Sequence, residues 1–191
     1  DIISMSWQVQ IDRRPTTLED LGNYGVLLCI AGLDTGTQGM GHGVRHLAQN
    51  PDLQDELRAN PDLVSDATEE LLRRYTFTVP PRRVNRDIVF QGVAMKKDER
   101  AIHFLPAADL DPKEYPDPGL FDLRRQGKAH IAFNAGPHRW LGSHLARVEL
   151  NILYEELLKR MPRFRLDPER PPTFKGGHVI GVQQLHLLWD K

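Results

Sequence analysis

The sequence predicts a mainly α chain with small β-sheets, an α+β fold, on three observations. Apolar residues recur at helical spacing over about 18–48, 62–75 and 143–161. Short alternating runs bounded by turn residues occupy 87–105 and 164–189. Between these blocks, 106–127 is rich in Pro and Asp and follows neither period.

Composition narrows the function classes. A chain of 191 residues with 40% hydrophobic and 27% charged residues is ordinary for a globular protein with a real core. A net charge of −1 gives no footprint for nucleic acid. No run approaches the ~18–20 apolar residues of a membrane span, and no charged-then-apolar leader opens the chain, so a cytoplasmic location is expected. Asp1 in place of Met points to a processing or truncation point. The single cysteine, Cys29, excludes an internal disulfide and, within Val26-Leu-Leu-Cys-Ile-Ala31, reads as a buried core thiol.

The first helix tail, Asp1-Ile-Ile-Ser-Met5, leads to an extended pair near Gln8-Val-Gln-Ile11, broken at Arg13-Arg-Pro15. Thr17 with Asp20 forms a capping box that starts the long helix. Its apolar positions Leu21, Val26, Leu27, Leu28, Ile30 and Leu33 cover nearly all faces, which predicts a central, buried element. Gly36, Gly39, Gly41 and Gly43 follow, each costing about 1 kcal/mol against Ala, so this half is expected to fray or break unless packing compensates. Asn50-Pro51 and Asn60-Pro61 punctuate two further helices. On the second, Glu70 and Arg73 stand at i and i+3 on one face. Phe77-Thr-Val-Pro-Pro-Arg-Arg-Val84 is extended and stiffened by two prolines, and turns at Gln91-Gly92 and Lys97-Asp98 divide the strands after it. In 143–161, Leu145, Val148, Leu150, Ile152, Leu153, Leu157 and Leu158 read as core, and 174–189 reads as strands turning at Gly176-Gly177 and Gly181.

The most informative stretch is Phe133-Asn-Ala-Gly-Pro-His-Arg-Trp-Leu-Gly142, which runs into Ser143-His-Leu-Ala-Arg147. A Gly/Pro loop feeding a helix N-terminus collects backbone N–H groups and a positive dipole end, an environment for an anion or a thiolate. Read as F-x-x-G-x-H-x-[C]-x-G, it resembles the proximal haem loop of the cytochromes P450, the haem-thiolate monooxygenases. Glu69-Glu-Leu-Leu-Arg-Arg-Tyr75 is similar to that family's E-x-x-R helix, and Ala31-Gly-Leu-Asp-Thr35 to its distal oxygen-binding element. Motif order and the ending Gly181-Val-Gln-Gln-Leu-His-Leu-Leu-Trp-Asp190 look most like the bacterial camphor-hydroxylating branch.

The resemblance implies the C-terminal part of the cytochrome P450 fold. It divides the chain, 1–191, into a distal helix (18–48), the E-x-x-R helix (62–75), a meander (106–127), the proximal loop (133–142) and a C-terminal helix and hairpin (143–191). It implies haem, a ferredoxin-type electron donor and a small apolar, terpenoid-like substrate. Asp34 and Thr35 would manage protons, and Arg82 and His138 would clamp the haem propionates. Phe133, Gly136, Trp140 and Gly142 would complete the cofactor loop, Glu70 and Arg73 would form the structural network, and Thr78, Val79, His178 and Val179 would face substrate.

Trp140 departs from the pattern at the family's cysteine position: a neutral indole has an N–H donor and no usable lone pair, so it cannot ligate iron. The resemblance covers only the C-terminal half of a family member. It therefore implies a haem-dependent monooxygenase inactive as it stands for want of the thiolate ligand and the N-terminal half, and a degenerate scaffold or binding module without haem is the alternative. His42, His138 and His144 are the remaining candidates for iron. Leu120 stands where the third, arginine, member of the ionic network belongs, leaving it incomplete unless Arg124 or Arg125 substitutes.

Overall fold

A computed structural model describes residues 1–127 and 129–190. Lys191, the last residue of the expected C-terminal segment, lies outside the described residues. The chain divides into two compact units, 1–37 and 38–191.

In the first unit, Asp1 caps α1 (Ile2–Trp7) by accepting a hydrogen bond from Ser4 N–H. The strands β1 (Gln10–Ile11) and β2 (Arg14–Pro15) pair around Asp12 and Arg13, whose φ values of 50° and 66° supply the left-handed two-residue turn that suits a hairpin. Helix α2 (Leu18–Cys29) starts on the capping box: Thr17 accepts from Asp20 N–H, and the Asp20 carboxylate accepts from the Thr17 backbone. Arg14 also pairs with Asp20 at 2.5 Å. Ile30–Asp34 then widens into one π-helical turn.

The burial expected of this helix is corrected: α2 buries none of its residues, and Val26, Leu27, Leu28, Ile30 and Leu33 are exposed. Apolar residues on every face specify a helix enclosed by other elements, and the described residues supply no such enclosure. Cys29 is exposed for the same reason, not buried as expected.

Helix α3 (Thr35–Gln49) carries the chain into the second unit without a break, so its glycines do not fray it, and the reason is the packing compensation left open by the sequence. Three of them are contact points. A Cβ on Gly43 would lie 1.9 Å from the Tyr154 hydroxyl, one on Gly41 3.3 Å from Val182, and one on Gly39 3.6 Å from Leu150 and Phe77. Close packing against this notch offsets the propensity cost.

The second unit builds its core from α3, α4 (Pro51–Ala59), α5 (Val64–Arg74) and α7 (Ser143–Arg160), with Leu47, Leu57, Val64, Leu71, Leu150, Tyr154, Leu158 and Phe164 at its centre. Pro51 occupies the first turn of α4, and Pro61 opens a short 3₁₀ turn ahead of α5. The buried Gln54 side chain replaces ladder bonds at a crossing, donating to the carbonyls of Leu47 and Phe164 at 2.8 Å each.

Antiparallel pairs surround this core: β3 (Pro81–Arg83) with β6 (Arg100–Ile102), β4 (Ile88–Phe90) with β5 (Val93–Met95), β7 (Phe164–Leu166) with β10 (Leu187–Trp189), and β8 (Thr173–Lys175) with β9 (Gly181–Gln184). Gln91 and Gly92, at φ 47° and 83°, make the predicted β4–β5 turn. Gly181 opens β9 and is not itself a turn. A four-residue helix α6 (Leu105–Ala108) interrupts the start of the irregular segment. In α7 the predicted core stripe is half right, for Leu150 and Leu158 are buried whereas Leu145, Val148 and Ile152 are exposed. Periodicity marked both stripes as apolar; only one has a neighbour.

Candidate functional site

Two consecutive glutamates on α5 organise the region under the Phe133–Gly142 loop. The side chains of Glu70 and Arg73 are 0% exposed and form a two-pronged pair, Nε to Oε2 at 2.8 Å and Nη2 to Oε1 at 2.8 Å. Arg73 Nη1 also donates to the carbonyls of Asp109 and Pro118 at 2.8 and 3.1 Å. The third member is present: Arg125 donates from Nε to Glu70 Oε1 at 3.1 Å and from Nη1 to the Pro116 carbonyl at 2.7 Å. The expectation of an incomplete triad is therefore corrected. Arg124 points elsewhere, to Glu56 at 2.5 Å. Burial would raise the Glu70 pKa, but the hydrogen bonds from Arg73, the Asp122 backbone and Arg125 outweigh it and hold the carboxyl below its usual range.

Its neighbour Glu69 faces the loop. Arg147 grips it through Nε to Oε1 at 2.6 Å and Nη2 to Oε2 at 3.0 Å, and His130 Nε2 lies 3.2 Å from Oε2. The Arg147 guanidinium then lies over the Phe133 ring, 4.7 Å from its centroid.

The loop turns through Asn134 and Gly136, at φ 62° and 63°, into a 3₁₀ turn at Gly136–His138. It closes where Trp140 N–H donates to the Phe133 carbonyl at 2.9 Å and Ser143 N–H donates to the Trp140 carbonyl at 3.2 Å. The indole lies 5.7 Å from the Phe133 ring and over Gly142, where a Cβ would meet indole carbon at 2.8 Å. Gly142 thus makes room for the residue at 140.

The four residues expected at substrate come together. Thr78 and Val179 form an antiparallel bridge, Val79 N–H donates to the His178 carbonyl at 2.8 Å, and Thr78 Oγ1 donates to the Ala132 carbonyl at 3.3 Å. Arg82 and His138 are not joined: Arg82 donates to the Pro81 carbonyl at 2.9 Å, His138 is exposed, and among the described residues no hydrogen bond links them. Asp34 and Thr35 lie at the π-helical turn of the first unit, and the Thr35 hydroxyl donates to the Ala31 carbonyl. His42 is committed to the core, with Nε2 2.8 Å from the Ile180 carbonyl and its ring stacked on Phe77. Desolvation, with Arg45 nearby, pushes the His42 pKa down despite that bond. His144 is exposed on α7.

Sequence reasoning missed Glu69, His130 and Asp109. Asp109 is buried, accepts from Thr76 Oγ1 at 2.5 Å and Ile131 N–H at 2.8 Å, and so ties the end of α5 to the segment entering the loop. The doubled Glu69-Glu70 was the available signal, since two acids side by side on a helix face different neighbours.

The indole of Trp140 offers no usable lone pair to a metal, and its ring is packed onto Phe133 and over Gly142, so this residue does not fit the role of a haem-iron ligand.

The sequence model of the cytochrome P450 family matches residues 3–187. A probable cytochrome P450 127A1 from Sinorhizobium fredii is 38% identical over 99% of this chain and 46% of its own length. A biotin biosynthesis cytochrome P450 from Bacillus subtilis is 37% identical over 87% of this chain and 42% of its own. The crystal structure of cytochrome P450 CYP101C1 superposes with a TM-score of 0.94 at 32% identity, covering all of this chain and 50% of that one. The chain thus spans about half the length of the relatives it matches. No helix of the described residues is long and apolar enough to cross a membrane. With its E-x-x-R network closed, its loop in place and its sequence matched almost end to end, this chain belongs to the cytochrome P450 family, whose cofactor is haem.

Proposed function

We propose that this chain is the proximal-loop portion of a haem monooxygenase and that, with tryptophan at 140, it does not carry out the family's thiolate-dependent oxygen activation by itself. One observation supports this: the indole of Trp140, which the resemblance puts at the ligand position, is folded against Phe133 and over Gly142, while Glu70, Arg73 and Arg125 form a buried ionic network. In this reading the frame that would position a haem loop is present, and the atom that would bind iron is not.

In this reading Arg82 and His138 would hold the haem carboxylates, and Asp34 and Thr35 are the proton-handling pair of the distal helix. Thr78, Val79, His178 and Val179 form one wall of a site for a small apolar molecule, of the kind taken by the camphor-hydroxylating branch, with electrons from a ferredoxin-type donor. The bridge between Thr78 and Val179 supports that wall. The packed indole equally favours a second reading, a haem-free scaffold.

Reconstitution with haemin, followed by supply of peroxide or reduced ferredoxin and camphor as the probe substrate, tests the proposal. No hydroxylated product and no coupled oxygen uptake are expected. Coupled product formation by the unaltered chain would overturn it.

A further inference from the structure

Two arms reach from one carboxylate to the loop. On one side, Arg147 is gripped by both oxygens of Glu69 and by the Ser143 carbonyl at 3.3 Å, and it spreads its guanidinium over Phe133. On the other, the side chain of His130, 1% exposed, lies 3.2 Å from Glu69. Its Nδ1 accepts from Ala132 N–H at 3.2 Å, which assigns the remaining ring proton to Nε2 and so to a bond donated toward Glu69. The His130 and Phe133 rings are 6.0 Å apart.

Phe133 is therefore held from below by a cation and beside by an imidazole, and both are anchored on Glu69. Phe133 in turn sets residue 140, through its carbonyl to Trp140 N–H at 2.9 Å and through its ring to the indole at 5.7 Å. Glu70 takes no part in this chain of contacts, since its partners are Arg73, Arg125 and the Asp122 backbone.

We propose that Glu69 is the positioning residue of the loop: acting through Arg147 and His130 on Phe133, it fixes the direction of the side chain at 140. It rests on reading 133–142 as the loop that presents residue 140, but not on haem being bound. A planar fork shared between a carboxylate and an aromatic face is the arrangement that arginine makes and lysine does not.

The test uses the full chain with Trp7→Phe and Trp189→Phe, so that emission reports Trp140 alone. In this background Glu69→Gln removes the charge at nearly constant volume, and Arg147→Lys keeps the charge while removing the fork. Both are expected to shift Trp140 emission to the red. Both should also speed amide exchange across 133–142 by at least about tenfold, equivalent to ~1.4 kcal/mol of local stability, with far-UV circular dichroism unchanged. Arg124→Gln, which breaks the surface pair with Glu56, should move neither signal. If Glu69→Gln does not fold, Arg147→Lys decides alone. Unchanged emission and exchange in Arg147→Lys, or an equal response in Arg124→Gln, would overturn the proposal. Because no haem is added, this outcome is independent of whether the chain takes up cofactor.

Discussion

Replacing Gly43 by alanine separates two accounts of the glycine-laden helix. By helix propensity alone the change stabilises by about 1 kcal/mol. In the structure, the new Cβ would stand 1.9 Å from the Tyr154 hydroxyl, 2.5 Å from Cζ and 2.9 Å from Cε1. Tyr154 is 1% exposed and central to the core, and its hydroxyl donates to the Gly39 carbonyl at 3.2 Å. Overpacking of this kind costs about 1–3 kcal/mol, and displacing the hydroxyl leaves a buried polar group unmatched for roughly 1–3 kcal/mol more. Against the propensity gain, a net loss of about 1–5 kcal/mol follows. Urea unfolding followed by circular dichroism measures it as a lower midpoint at unchanged slope. Tyr154→Phe added to Gly43→Ala should recover only part of the loss, because Cζ still crowds the site. The control is Gly36→Ala, where nothing lies within 4 Å and helix content should rise. A Gly43→Ala chain as stable as the parent would refute the packing role of this glycine.

Three further outcomes are expected. Burial opposes ionisation of Glu69, but bonds from His130 and Arg147, the groups that face it, outweigh this and hold its pKa at about 2, against an ordinary value of 4.5. A depressed folded pKa contributes stability above the ordinary value and loses it as protons are added. Trp140 emission should therefore shift between pH 4.5 and about 2, and Glu69→Gln should abolish that transition. Arg125→Met leaves Glu70 short of a partner in a buried site and should cost ~3–5 kcal/mol in urea unfolding. Arg124→Gln, at a side chain 70% exposed, should cost less than ~1 kcal/mol, and equal losses would contradict the assignment of Arg125 to the network. Cys29, exposed on α2, should react fully with a thiol reagent in the absence of denaturant; protection until unfolding would show that the helix is covered.

Local signals carried most of the architecture. The Thr17–Asp20 box, the prolines at 51 and 61, the Gln91-Gly92 turn and the E-x-x-R spacing each describe a few neighbouring residues, and each appears as expected. What periodicity could not supply was the identity of the neighbour. It marked Val26, Leu27 and Ile30 as core because every face is apolar, and they are exposed because nothing in the described residues encloses them. It priced Gly43 as a weakness because Tyr154, more than a hundred positions away, is invisible to a local count. In the candidate site, motif spacing anticipated the pairing of Glu70 with Arg73 and the closeness of Phe133, Trp140 and Gly142 in one loop. Glu69 and His130 were not legible, since their roles depend on the approach of α7 to α5 through Arg147.

The central claim concerns one side chain, and the ferrous–carbon monoxide spectrum of the haemin-treated chain reads it directly, with Trp140→Cys alongside. The parent should give no Soret band of the red-shifted, thiolate-bound kind, and Trp140→Cys should gain it on the frame that Glu70, Arg73 and Arg125 preserve. A thiolate-type band from the unaltered chain would contradict the account.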